Sequence, residues 1–200
     1  MTLLDPIERL NNIIEQSWSI LFERIVSGKL KINKESSLQL HLSKLIYDLG
    51  NIYCILPDES FEIEMETNYQ NKSIDIVCIL GDIKAAIELK CFMKISNRAK
   101  DLDSYDALRD IERLHNFSGF DIRKFICLTD NIYYPQTTLT GHGKSVMLKH
   151  GTVYSANTAI IPGWADKWKV GRDKHILFPS DVVCNWISKK NWHYWIADVK

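Results

Sequence analysis

The stretch Ser73–Phe92, SIDIVCILGDIKAAIELKCF, decides how this chain is read. Two runs of Ile, Val, Leu and Ala flank Gly81-Asp82, and each run carries charge. Asp75 interrupts the first; Glu88 and Lys90 interrupt the second. An isolated charge is costly to bury, so such side chains face water, pair with one another, or bind a metal. A two-residue link led by glycine predicts a tight hairpin of the primed type, with Leu80 opposite Ile83. Counting back along both strands puts Asp75 opposite Glu88. Lys90 falls on the same face as Glu88, because side chains alternate along a strand. Two carboxylates directly opposite one another repel and destabilise a sheet. The pattern therefore asks for a cation between them. Hard oxygen ligands favour Mg²⁺, with Mn²⁺ as a substitute. A bulge at Gly81 would shift the register by one and remove the pairing. The competing reading is a solvent-facing stripe in which Lys90 neutralises two acids.

Working outward, the segments on either side read as alternating helices and strands. DPIERLNNIIEQSWSILFERIVSG has Asp5 suited to a helix N-cap, Pro6 to the first helical position and Gly28 to the stop. Its stripe is Ile7, Leu10, Ile14, Trp18, Leu21 and Ile25. KESSLQLHLSKLIYDLG predicts a second helix, with stripe Leu38, Leu42, Leu45 and Leu49 and an end at Gly50. SFEIEMETNY alternates Glu62, Glu64 and Glu66 with Ile63 and Met65, the pattern of a half-buried strand. KSIDIVCIL and IKAAIELKCF are the two strands of the hairpin. DLDSYDALRDIERLHNF predicts a helix, and RKFICLTD a short buried strand. Beyond Asn131 the pattern weakens; TVYSANTAIIPGW, HILFPSD and NWHYWIADVK look β-like. With no repeat or linker, residues 1–200 read as a single α/β domain: a mixed central sheet flanked by helices, with an extra N-terminal helix and a C-terminal β-rich extension.

Asp75, twelve intervening residues, then Glu88-Leu89-Lys90 resembles the motif of the PD-(D/E)xK nuclease superfamily. The element order from Glu35 to Asp130 is similar to the αβββαβ core of that restriction-endonuclease-like fold. The chain departs from the motif at Ile74, where the name-giving proline would stand. The resemblance implies that Asp75 and Glu88 are metal ligands, with the Leu89 carbonyl as a further ligand. It implies that Lys90 orients or activates the attacking water. Relatives often carry an acid on the first core helix followed four residues later by Gln; Glu35 and Gln39 fit that spacing. Against this, a glutamate in a first helical turn is already favoured by the helix dipole. The implied activity is Mg²⁺-dependent endonucleolytic hydrolysis of DNA, in restriction and defence or in repair.

Charge neither forbids nor supplies a nucleic-acid partner. There are 25 basic and 25 acidic residues, so any contact with phosphates has to come from a local patch. Arg109 and Arg113 share a helix face, next to acids that could pair with them. The tail from Pro162 to Lys200 interleaves basic residues with Trp164, Trp168, Trp186, Trp192 and Trp195. That mixture suits stacking and phosphate contact, or a tryptophan-filled core. LTGHGKSV ends like a phosphate-binding loop, but Thr138 stands where its first glycine belongs and no strand leads into it. Five widely spaced cysteines argue against disulfides and for buried thiols, and the six histidines show no metal-ligand spacing. The N-terminal residues lack a secretory pattern and no run is long enough to span a membrane, which predicts a cytoplasmic protein. Cutting both strands of a duplex predicts a homodimer. The rival expectations are a catalytically inactive nucleic-acid-binding module and an assembly protein that uses the first helix as its contact.

Overall fold

The structure is a computed structural model that describes residues 5–96, 98–164 and 171–200. It has a six-stranded mixed sheet in the order β1-β2-β3-β4-β8-β7, with β3 and β4 parallel, flanked by helices. The strands are β1 (Phe61–Tyr69), β2 (Lys72–Leu80), β3 (Ile83–Phe92), β4 (Ile122–Thr129), β7 (Trp186–Lys189) and β8 (Trp192–Asp198). A separate small ladder pairs β5 (Val153–Tyr154) with β6 (Val182–Val183). The helices are α1 (Pro6–Val26), α2 (Glu35–Tyr53), α3 (Lys100–Asn116) and the single-turn α4 (Tyr133–Gln136). Two compact units divide the chain: residues 1–89 with 118–124, and residues 90–117 with 125–200. None of the described helices is long and apolar enough to cross a membrane.

In the first unit, α1 starts at Asp5 and Pro6, and Gly28 follows its end at φ 76°. That left-handed conformation is cheap only for a residue without Cβ. Leu10, Ile13, Ile14, Trp18, Leu21 and Ile25 are buried, while Ile7, the first residue of the expected stripe, is exposed. Helix α2 runs past Gly50, where the sequence predicted its end, to Tyr53. Gly50 is instead a packing residue: a Cβ there would stand 2.2 Å from the Phe61 ring. The apolar line of α2 centres on Leu38, Leu42, Ile46 and Gly50, with Leu45 and Leu49 only half-buried.

Two tight turns build the β1–β2–β3 meander. Gln70 and Asn71 both take positive φ, 50° and 61°, as a type I′ turn requires, and set Tyr69 opposite Lys72. Gly81, at φ 57°, opens the second turn and sets Leu80 opposite Ile83. β1 is an edge strand and is mostly exposed, more so than the expected half-burial. In β2 and β3 the apolar positions Ile74, Ile76, Cys78, Ala85 and Ile87 are fully buried. Burial pushes the Cys78 thiol up to about 12, so it stays a protonated core side chain.

In the second unit, α3 lies on buried Tyr105, Ala107, Leu108, Ile111 and Leu114. The C-terminal residues supply much of the core, including Phe178 and Trp195, both at 0% exposure. Trp195 packs edge-on against Phe125, with ring centroids 5.3 Å apart. The β-rich extension is not a separate layer, because its last hairpin, Trp186 to Asp198, adds two strands to the main sheet.

Candidate metal and phosphodiester site

The register of β2 and β3 follows from the turn. Partners run from Leu80 opposite Ile83 to Ile76 opposite Ile87. The next position along both strands carries Asp75 and Glu88. Here Asp75 Oδ2 accepts the Leu89 N–H at 2.6 Å, so an aspartate carboxylate meets a backbone donor of the facing strand. Asp75 is half-buried, and Glu88 is only 1% exposed. A carboxylate buried that deeply needs hydrogen-bond donors or a cation beside it to stay charged.

β1 adds a third carboxylate to the same row. Met65 faces Ile76 and Thr67 faces Ile74, so Glu66 stands beside Asp75. Glu66 takes φ 54°, a left-handed conformation unusual for a side-chain-bearing residue inside a strand. Its two carboxylate oxygens accept from Gln39 Nε2 and from Ser73 Oγ, each at 2.9 Å. Gln39 Nε2 also donates to the Asp75 backbone carbonyl at 2.7 Å. The helix α2 thus reaches the strand pair through Gln39. Glu35 opens α2 one turn earlier and is half-buried. Gln39, which the sequence paired with Glu35, donates to the Asp75 backbone carbonyl.

Lys90 follows Glu88 by two residues in β3 and belongs to the second unit. Its Nζ lies 2.5 Å from Asp110 Oδ2 on α3. Arg113 donates to the other oxygen of Asp110 at 3.1 Å. Both side chains of the Lys90–Asp110 pair are largely sequestered, at 17% and 8% exposure. Asp110 thereby restrains Lys90 and partly offsets its charge. Sequence reasoning missed this partner, which only the docking of α3 reveals. It also missed Glu66 and Ser73. The count that placed Asp75 opposite Glu88, applied at Gln70-Asn71, would have brought Glu66 to Asp75.

The donor set suits one kind of metal. Mg²⁺ keeps several waters and takes one or two carboxylates plus substrate oxygens, without a closed protein cage. Asp75, Glu88 and the Leu89 carbonyl match that mode. Among the described residues no three His, Cys, Asp or Glu side chains are grouped to hold a metal. No protein-family model, curated protein or solved structure matches the chain.

Other sequence candidates resolve into ordinary packing. Arg109 pairs with Glu112, and Arg172 holds Asp106 through two bonds of 2.8 Å. Trp164, Trp186 and Trp195 are buried in the core, and Trp192 is half-buried. Asp166, Lys167, Trp168 and Lys169 lie outside the described residues. The GHGKSV segment is a 3₁₀ turn, Gly141–Val146, in which His142 Nδ1 contacts the Gly163 carbonyl.

Proposed function

We propose that this chain is a Mg²⁺-dependent nuclease that hydrolyses DNA phosphodiester bonds. The observation that supports it most directly is the hydrogen bond from Leu89 N–H to the Asp75 carboxylate, which joins β2 and β3 one residue beyond the paired Ile76 and Ile87. The resemblance of Asp75, Glu88 and Lys90 to the PD-(D/E)xK motif adds to it. Asp75, Glu88 and the Leu89 carbonyl would hold the ion. A bound Mg²⁺ would neutralise charge at the scissile phosphate and lower the pKa of a water.

The remaining work belongs to the chain. Lys90 orients the attacking water and stabilises negative charge on the phosphoryl oxygens. Asp110 and Arg113 set where its ammonium sits. Gln39 fixes the β2 backbone at Asp75, while Glu66, itself held by Ser73, fixes Gln39. The water oxygen bonds to phosphorus as the P–O3′ bond breaks. The leaving 3′ oxygen takes up a proton, giving a 5′-phosphate and a 3′-hydroxyl. Mn²⁺ is a substitute, and a homodimer would deliver two such sites to a duplex.

Plasmid nicking in Mg²⁺, with a chelator control, tests this reading. Asp75→Asn, Glu88→Gln and Lys90→Ala should each abolish cleavage while circular dichroism stays parental. Parental-rate cutting by any of the three would sink the assignment. A second reading, a non-catalytic nucleic-acid-binding module, is favoured by the engagement of Lys90 with Asp110 and of the Asp75 carboxylate with Leu89 N–H. It predicts duplex binding that chelator leaves untouched and no nicking under any metal.

A further inference from the structure

In the second unit a pocket of about 490 Å³ opens beyond the carboxyl ends of β3 and β4. Open α/β sheets bind ligands in that place, because loops diverge there. The volume lies within the ~300–1,000 Å³ of small-molecule sites. Its rim comes from three adjacent strands: Lys94 follows β3, Asp130 to Ile132 follow β4, and Lys190 to His193 form the β7–β8 turn and the start of β8.

The rim is built rather than loose. Thr129 Oγ1 donates to the Phe92 carbonyl at 2.5 Å, and Asp130 Oδ1 accepts the Lys94 N–H at 2.5 Å. Asn131 uses its side-chain carbonyl on the Tyr133 N–H at 3.1 Å, so what it can offer a ligand is an NH₂ donor. His193 is 4% exposed and its Nδ1 lies 2.7 Å from Ser188 Oγ. Burial holds His193 below its ordinary value, against the smaller opposing pull of Asp130. With that imidazole neutral, two lysines outweigh one aspartate, and the half-buried Trp192 indole provides an aromatic wall.

We infer that this pocket binds a nucleoside monophosphate group, free or as one residue of a nucleic-acid strand. Lys94 and Lys190 take the phosphate, Trp192 stacks on the base, and the Asn131 and Asn191 amides meet the base edge. Stacking on an indole suits any base, so the pocket is broad in base preference. The inference stands on the pocket alone and does not need the metal site.

Calorimetry in EDTA tests it, which separates its failure from failure of the nuclease reading. The titrants are deoxyadenosine monophosphate, inorganic phosphate, deoxyadenosine and a short single-stranded oligonucleotide. The expected result is binding of the nucleotide on the order of tenfold tighter than of phosphate or nucleoside alone. Trp192→Leu, and the pair Lys94→Ala with Lys190→Asn, should each weaken it by a similar factor. The lysines are exposed, and asparagine tolerates the φ of 55° at position 190, so that pair keeps the fold. An oligonucleotide that binds more tightly than the free nucleotide identifies a strand as the ligand; weaker binding identifies the free nucleotide. Absence of nucleotide binding, or affinity unchanged in both variants, overturns the inference.

Discussion

Arg9 holds Glu59 through two hydrogen bonds, 2.5 and 2.8 Å, and donates a third to the Tyr53 carbonyl at 3.2 Å. Both side chains are nearly buried, at 4% and 8% exposure. A buried pair is weak evidence of net stabilisation, yet removing one partner strands the other charge. Glu59→Gln should therefore destabilise the protein by ~3 kcal/mol, read as a lower urea midpoint. The hydrogen bond from Arg9, more than its charge, holds the Glu59 carboxyl below its ordinary value of 4.5. A lowered carboxylate pKa adds stability that is full above the unfolded value and lost as pH falls through the folded one. Parental stability should drop across the acid range below 4.5, and the Glu59→Gln variant should show a flatter dependence there. Equal slopes in both would show that Glu59 is not the titrating group.

At the scale of elements, Gly50 is the informative departure. Alanine in a helix interior normally gains ~1 kcal/mol over glycine. Here its Cβ would stand 2.2 Å from the ring of Phe61, itself 7% exposed. Overpacking of a core site costs ~1–3 kcal/mol, so Gly50→Ala should be net destabilising in denaturant titration. A stabilised variant would mean that the ring swings away freely.

The same contrast explains what the sequence makes legible. The β2–β3 hairpin was readable to the residue, because its period and its two-residue turn are local signals. The register that the turn fixes runs from Leu80 opposite Ile83 to Ile76 opposite Ile87. That α2 continues past Gly50 was not readable, because the reason is a ring on another element. Nor was the joining of the last hairpin, Trp186 to Asp198, to the main sheet, since partner choice between distant strands leaves no local mark. Within the site, the Lys90–Asp110 pair was hidden for the same reason.

At the scale of the whole molecule, an ion bound at Asp75 and Glu88 would stabilise the folded state by mass action. At a hundredfold excess over its dissociation constant the gain is about 2.7 kcal/mol. Mg²⁺ should raise the melting temperature of the parental protein in a thermal scan and leave Asp75→Asn unmoved. An equal response in both would remove Asp75 from the metal site without reference to any cleavage assay. Light scattering should give twice the 23.2 kDa chain mass if the proposed homodimer forms.

The glutamates of β1 bear on how copies of this protein meet. With a formal net charge of zero and a sequence pI near 7.0, neutral solution gives the molecules little long-range repulsion. β1 is an unpaired edge, and open edges recruit further strands. Exposed Glu62, Glu64 and Glu66 line that edge with like charge, so two of them brought together would repel at close range. Near neutrality, where net charge gives copies little mutual repulsion, this acidic border is what keeps the open edge of one sheet from pairing with another.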